Sequence, residues 1–446
     1  MDASKSAAPR ASLTVADGVA IMVGIVVGVG IFKMPPLVAA NVPSDAAFIA
    51  VWLLGGLVTL IGALSYAELA AAYPSAGGEY HFLFRAYGRS VAVLFAWARG
   101  TVIQTGAIAL VAFVFGDYAS QLLPLGPLGP AIYAALSIVI LSAINLLGTP
   151  QGTRTQNVFT ALTLLTLLVV VAAGLAVTVN GAQPAPSAAP ASAGGAIGLA
   201  MVFVLLTYGG WNEAAYLSAE MRDVGRNMVR VLVFGTLVLV VLYGLMNYAY
   251  LHAFGLHGLR ASDAPAADLM RRAGGTWGAA VLSLTVCCAS LSTLNGTIFT
   301  GARVYYALGR DLPVMRRLGM WDDRGDTPRN GLLVQTAIAL ALVVLGAATR
   351  DGFQTMVEYT APVFWFFMLL VGISLFVLRR REPDRERPFR VPLYPVTPVL
   401  FCLTCAYLLY SSLAYTGRGA LVGVAVLAAG VPLLLMSRPR ETVPAE

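Results

Sequence analysis

Two glycine clusters interrupt apolar stretches of this chain, and they are where it can do chemistry without a charged side chain. Gly24, Gly28 and Gly30 lie in the run GIVVGVGIF, and Gly209 and Gly210 in TYGGWNEA. Within a bilayer, backbone N–H and C=O groups must be paired unless they line a cavity or bind a ligand. Close helix packing explains one cluster by itself, since Gly24 and Gly28 form a small-xxx-small pair. Two clusters, each in the first apolar segment of a five-segment block, point instead to interrupted helices around a binding site. The outer half of a broken helix presents free N–H groups and a positive dipole end, which suit a carboxylate. The inner half ends in free carbonyls, which suit an ammonium group or a cation. Two breaks facing each other can therefore hold a zwitterion, and a free amino acid is the expected ligand.

Few other residues offer chemistry. Glu213 follows the second cluster by three residues and is either a proton carrier or a hydrogen-bonded anchor. Glu68 is expected to pair with a nearby arginine, and Lys33 to snorkel outward. Ala289, Ser292 and Thr293 fall at i, i+3 and i+4, so a carbonyl and two hydroxyls share one helix face. The alternative for those hydroxyls is bonding back onto their own helix. Tyr208, Trp211, Phe364 and Trp365 offer apolar walls with no fixed acid or base for a charged side chain, which favours small or medium neutral amino acids. Cys287, Cys288, Cys402 and Cys405 lie inside apolar runs and read as reduced core thiols; the C-x-x-C pair has no further ligand nearby. Asn295-Gly296-Thr297 fits a glycosylation pattern but falls within an apolar segment. No P-loop, nucleophile triad or metal cluster is present, so neither an ATP-driven pump nor an enzyme is expected, nor a resident cofactor.

The elements that position these residues are membrane helices. Only 11% of the 446 residues are charged and 58% are hydrophobic, with a mean hydropathy of +0.77. Soluble domains carry roughly 25% charged residues, so a water-soluble protein is excluded. Apolar runs predict twelve spans near 15–40, 46–72, 90–122, 128–148, 155–179, 196–218, 229–256, 274–308, 331–348, 353–378, 394–415 and 418–437. The third and eighth are longer than a bilayer needs and are expected to tilt. With the N terminus inside, 22 of the 29 Lys and Arg residues fall on cytoplasmic segments and 5 on outer ones, while Lys33 and Arg99 lie within spans. Both termini are therefore expected in the cytoplasm, and the net charge of +7 reflects loops rather than nucleic-acid binding. Residues 180–195 form a Pro/Ala/Ser/Gly-rich outer loop, and 379–396 an Arg/Pro-rich inner one. No cleavable signal peptide is read at the N terminus.

At these residues the sequence resembles the amino acid–polyamine–organocation (APC) superfamily of permeases, closest to its L-type amino acid transporter branch. Gly28-Val29-Gly30-Ile31-Phe32 is similar to the family's GSGIF in the first span, and Tyr66-Ala67-Glu68-Leu69 with Gly77-Gly78-Glu79-Tyr80 to its second-span and loop signature. Asn145, Gly148 and Gln156-Asn157-Val158-Phe159-Thr160 match spans four and five, and Tyr208-Gly209-Gly210-Trp211-Asn212 with Glu220 matches span six. Asn295-Gly296, Arg303, Gly309-Arg310-Asp311, Arg387-Pro388-Phe389 and Tyr394-Pro395 extend the match nearly to the end.

The resemblance implies an all-α, leucine-transporter-like fold: two inverted five-helix repeats (about 15–179 and 196–378), two further helices (394–437) and short tails (1–14 and 438–446). It implies that the substrate carboxylate meets the N–H groups of Val29 and Gly30, and the ammonium the carbonyls of Val26, Leu206 and Gly209. Leu206 stands where many relatives carry an aromatic gate, and Val29 where they carry serine. Sodium-independent relatives place a lysine at the position of Thr163. With threonine there, the resemblance implies a sodium site of five neutral oxygens: the carbonyls of Gly24, Val27 and Ala289 and the hydroxyls of Ser292 and Thr293. Proton coupling through Glu213, exchange of amino acids or polyamines, and a non-transporting sensor are the alternatives. A polyamine carrier would want acids in the site, and only Glu213 and Glu358 are available. Animal relatives of the branch join a glycoprotein through a cysteine between spans three and four; residues 116–130 contain none, so no such partner is expected. The Arg-over-Lys excess and short tails fit a bacterial inner membrane.

Overall fold

The protein is described here by a computed structural model, covering residues 11–28, 30–176, 197–262, 264–348 and 352–416 and a few between 425 and 432. Val29, the outer loop 180–195, residues 1–10 of the N-terminal tail, the C-terminal tail and most of the twelfth predicted span lie outside the described residues. The first span begins at α1 (Val15–Val26), capped by Thr14 and Asp17 in a reciprocal capping box. Asp17 also accepts a bond of 2.8 Å from Asn157, which pins the helix start to the fifth span. After a break come α2 (Gly30–Lys33) and α3 (Pro35–Ala40), followed by α4 (Asp45–Ala72), which Ser44 caps.

Next are α5 (Glu79–Tyr87) and α6 (Arg89–Ala98), a five-residue π segment (Arg99–Ile103), and α7 (Gln104–Leu122). α5 is too short and polar to register as a span in the sequence. The long third span is interrupted: a π turn at Arg99 shifts the register in mid-membrane, a device that places side chains at functional sites. α8 (Gly129–Leu147) and α9 (Thr149–Ala176) complete the first block.

In the second block, α10 (Ile197–Thr207) gives way to a 3-10 segment (Trp211–Glu220), then α11 (Val224–Arg260) and α12 (Pro265–Asp311). α12 is non-helical at Gly274 and Gly275, so its spanning part starts at Trp277. α13 (Arg329–Ala348), α14 (Gly352–Arg381) and α15 (Val396–Thr416) follow. Among the described residues nine helices are long and apolar enough to cross a membrane, and there is no β-strand beyond two isolated bridges. One of these bridges is a tie at the base of the broken helices. There the Leu13 N–H donates to the Glu220 carbonyl at 2.8 Å, and the Arg222 N–H to the Leu13 carbonyl at 3.1 Å. The chain is an all-helical, multi-pass membrane protein.

Candidate functional site

Both glycine clusters break their helices. α1 stops at Val26 and the helix resumes at Gly30; α10 stops at Thr207 and continues as the 3-10 segment from Trp211. Gly210 has φ of +104°, a left-handed conformation that glycine adopts without penalty. The breaks pack against one another. A Cβ on Gly30 would lie 3.0 Å from Cγ2 of Thr207, and one on Gly210 would lie 3.1 Å from Cγ2 of Ile25. A single phenol from α11 spans the two: the Tyr243 hydroxyl is 2.9 Å from the Val26 carbonyl and 3.2 Å from that of Thr207. The Val26 carbonyl also accepts from the Gly28 N–H at 2.8 Å, and the Leu206 carbonyl accepts from the Gly209 N–H at 3.2 Å.

The aromatic residues divide. Tyr208 packs into a cluster with Trp52 and Tyr243, at ring separations of 6.3 and 4.9 Å. Trp211 packs edge-on against Tyr66 at 4.9 Å and shares a narrow apolar crevice with Phe364, Trp365, Phe401 and Cys405, with a free volume of about 30 Å³, the room of one water. Gly209 and Gly210 form part of its wall. The Leu206 side chain is not in that crevice but exposed, while its neighbour Leu205 lines it. Tyr208 and Leu206 thus do not join Trp211 in one pocket.

On the α12 side the first break meets neutral polar groups. The Thr293 hydroxyl lies 3.0 Å from the Gly24 carbonyl, 3.2 Å from that of Ile25 and 3.4 Å from that of Val27. Ser292 faces α9 instead, where its hydroxyl accepts from the Gln156 amide at 3.0 Å and sits 3.2 Å from that of Thr160. Thr160 in turn donates to the Ala20 carbonyl at 2.9 Å. A methyl on Gly24 would collide with the Gln156 amide and with both hydroxyls, so glycine is required there by close approach. Gln156 is held by Asn295 (2.9 Å), and Asn295 by Asn145 (2.8 Å), a relay of amides across α8, α9 and α12. Thr163 is buried with no hydrogen-bond partner for its hydroxyl among the described residues, and Ala289 is buried. The side chain of Glu358 lies outside the described residues.

The second break leads into charge. Glu213 takes a bond of 2.5 Å from Arg99 and another of 2.5 Å from the Thr300 hydroxyl. Arg99 reaches Glu79 at 3.1 Å with its other terminal nitrogen and stacks over the Tyr216 ring at 4.2 Å. Glu79 also accepts from Tyr66 (2.7 Å), Tyr216 (2.8 Å) and Asn212 (3.0 Å). Burial pushes the Glu79 carboxyl above its usual value, against the pull of Arg99 and the Tyr66 hydroxyl. Further inward, Arg303 pairs with Glu220, and Glu68 pairs with Arg379 at 2.5 Å, the arginine partner expected for it.

Arg99 and Glu79 were missed as site residues. The signal was available: an arginine in mid-span demands a buried acid, and Glu213 and Glu79 are the acids nearest the breaks. Gln156 and Tyr243 carry no such signal, because neutral polar groups in apolar helices are common. Among the described residues no cluster of His, Cys, Asp or Glu fits a metal ion.

Residues 13–431 match the family model described as amino acid permease. The chain is 30% identical over 414 residues to human b(0,+)-type amino acid transporter 1, covering 91% of this chain and 83% of that protein. It is 29% identical over 428 residues to mouse large neutral amino acids transporter small subunit 2, covering 93% and 79%. Both are transporters, and the family is not enzymatic. The chain belongs to the amino acid permease family of the APC superfamily.

Proposed function

We propose that this protein is a secondary transporter that carries small or medium neutral amino acids across the membrane by alternating access. Its fold is read as two inverted five-helix repeats with α14 closing the second, followed by α15 and a further helix. Both termini lie in the cytoplasm, in a bacterial inner membrane, without a disulfide-linked partner. The observation that carries this reading is the direct packing of the two helix breaks, Gly30 against Thr207 and Gly210 against Ile25. In this reading a zwitterion placed there would use the carbonyls of Leu206 and Gly209 for its ammonium, with that of Val26 available once the Tyr243 hydroxyl releases it, and the N–H of Gly30 for its carboxylate. The crevice beyond Gly209 and Trp211 is lined by apolar and aromatic side chains, which suits an uncharged side chain once the site opens. Uptake of radiolabelled amino acids and amines into proteoliposomes tests it. Saturable uptake of alanine, serine or leucine is expected; uptake of arginine or glutamate alone refutes the substrate class.

A sodium ion at the first break is a second reading, favoured by the Thr293 hydroxyl close to three carbonyls of that break. Neutral oxygens in that number suit a hard monovalent cation. Imposed sodium against choline gradients test it in wild type, Ser292→Ala, Thr293→Ala and Thr163→Lys. Stimulation by sodium in wild type, lost in the alanine variants, is the expected result; indifference to sodium ends this reading.

A further inference from the structure

Where α14 ends and α15 begins, the chain holds more positive charge than its acids cancel. Residues 379–390 contain six arginines and three acids. Glu68, buried near the end of α4, gathers this loop. It accepts from Arg379 at 2.7 and 2.5 Å and from the Val391 N–H at 2.7 Å, and Arg387 lies 3.5 Å away. Arg381 and Arg385 turn to the carbonyls of Ala86 and Ala72, neutral acceptors that leave the positive charges uncancelled. Of the loop's own acids, Glu382 is held by Arg85 and Tyr73, while Asp384 and Glu386 are exposed. Arg380 and Arg390 are exposed and have no hydrogen bond or ion pair among the described residues.

These two guanidinium groups border an apolar surface. Arg380 lies one turn beyond Phe376 on α14, so the two share a helix face. The Tyr394 ring covers that face, 5.6 Å from the Phe376 ring and 3.8 Å from the Arg379 guanidinium. Beside it Leu393 is 79% exposed and Val396 56%, and exposed apolar side chains continue down α15 through Leu400 and Leu403. Val396 opens a helix long and apolar enough to cross the membrane. The stripe therefore faces lipid chains, and the arginines stand at its end, at the depth of the headgroups. One kind of molecule matches both surfaces. A soluble anion would leave the apolar stripe unused, and an acidic protein segment does not enter the hydrocarbon.

We propose that the junction of α14 and α15 is a binding site for an anionic phospholipid. Arg380 and Arg390 hold the headgroup phosphate, and the stripe from Leu393 to Leu403 carries an acyl chain. Because Glu68 ties α4, α14 and the loop into one knot, a lipid bound there braces α15, whose Phe401 and Cys405 line the crevice beside Trp211. The site concerns what the protein takes from the bilayer, and it stands whichever substrate is carried.

Native mass spectrometry of the detergent-purified, full-length protein, titrated with phosphatidylglycerol or with phosphatidylcholine of the same chains, tests the site. Wild type is expected to retain phosphatidylglycerol in preference. Arg380→Gln and Arg390→Gln should each weaken that retention about fivefold, the effect of one arginine at an anionic surface, and leave phosphatidylcholine unchanged. Leu393→Asp should weaken it with both arginines in place. Arg154→Gln combined with Arg226→Gln removes two exposed arginines elsewhere and should alter neither lipid. Phosphatidylglycerol should also raise the unfolding temperature of wild type but not of the Arg380→Gln, Arg390→Gln double variant. Equal retention of both lipids by wild type, or an equal loss in the Arg154→Gln, Arg226→Gln control, overturns the site. Displacement of the lipid by soluble glycerol phosphate at equal concentration overturns it too, and marks a site for a soluble anion. A double variant stabilised like wild type overturns the bracing of α15.

Discussion

The two helix breaks face each other but are held by different chemistry. Around the first, the side chains of Tyr243, Thr293, Ser292, Gln156 and Thr160 are all neutral and bond to carbonyls or to each other. Beyond the second, Arg99 ties the 3-10 segment to α5 through two buried carboxylates. Neutral hydrogen bonds contribute about 0.5–1.5 kcal/mol each, whereas removing one partner of a buried ion pair costs about 3–5 kcal/mol. The first break can therefore exchange its hydrogen bonds at small cost. The second is sensitive to the loss of any one of its charges.

The largest expected effect breaks the charged side of that contrast. Arg99→Met leaves two buried acids without a cation and should destabilise the protein by about 3–5 kcal/mol, read as thermal unfolding in detergent. Adding Glu79→Gln and Glu213→Gln to the same chain should recover most of the loss. A single Arg99→Met variant that melts like wild type would show the triad to be energetically idle.

Smaller effects are expected on the neutral side. Gly24→Ala forces a methyl into the Gln156 amide and the Ser292 and Thr160 hydroxyls. Overpacking of this kind costs about 1–3 kcal/mol, and replacing Gln156 by alanine in the same chain should relieve part of it. Tyr243→Phe removes the one hydroxyl shared by the Val26 and Thr207 carbonyls. Its expected cost is about 0.5–1.5 kcal/mol, with a larger loss in substrate-induced thermal stabilisation than in the stability of the substrate-free protein. Equal loss in both would mean that the phenol supports the fold rather than the paired breaks.

The contrast was half legible in the sequence. Glycines inside apolar runs betray a broken helix because no other residue fits Gly210 at φ of +104° or Gly24 against three polar side chains. Glu68 could be read as a paired acid because arginines abound at the cytoplasmic ends of the helices. The Arg99 triad could not be assembled in the same way: its members are 20 and 114 positions apart, and one of them sits on α5, a helix without the length or apolarity of a span. The face of each side chain was also illegible. Ser292 and Thr293 are adjacent, yet one turns to α9 and the other to the first break, and Tyr208 points away from Trp211 across a three-residue turn.

A surface version of the same ion pair sharpens the comparison and carries the smallest expected effect. Arg85 on α5 meets Glu382, just past α14, at 2.8 Å, with side chains 36% and 27% exposed, and Tyr73 adds a bond of 3.2 Å. Partial burial works against ionisation of Glu382, but the Arg85 bond and charge outweigh it and hold the carboxyl below its ordinary value of 4.5. A carboxyl depressed in the folded state adds stability above its unfolded pKa, and loses that contribution as pH falls through the lower folded value. Glu382→Gln should therefore lower stability by about 0.2–1 kcal/mol near neutral pH, the range for solvent-screened pairs. The difference from wild type should shrink below about pH 4.5 and should weaken in high salt. Arg99 is beyond the reach of salt, so the Arg99→Met deficit should not change between low and high ionic strength. A salt-sensitive Arg99 deficit would mean that water enters the triad and screens its ion pairs.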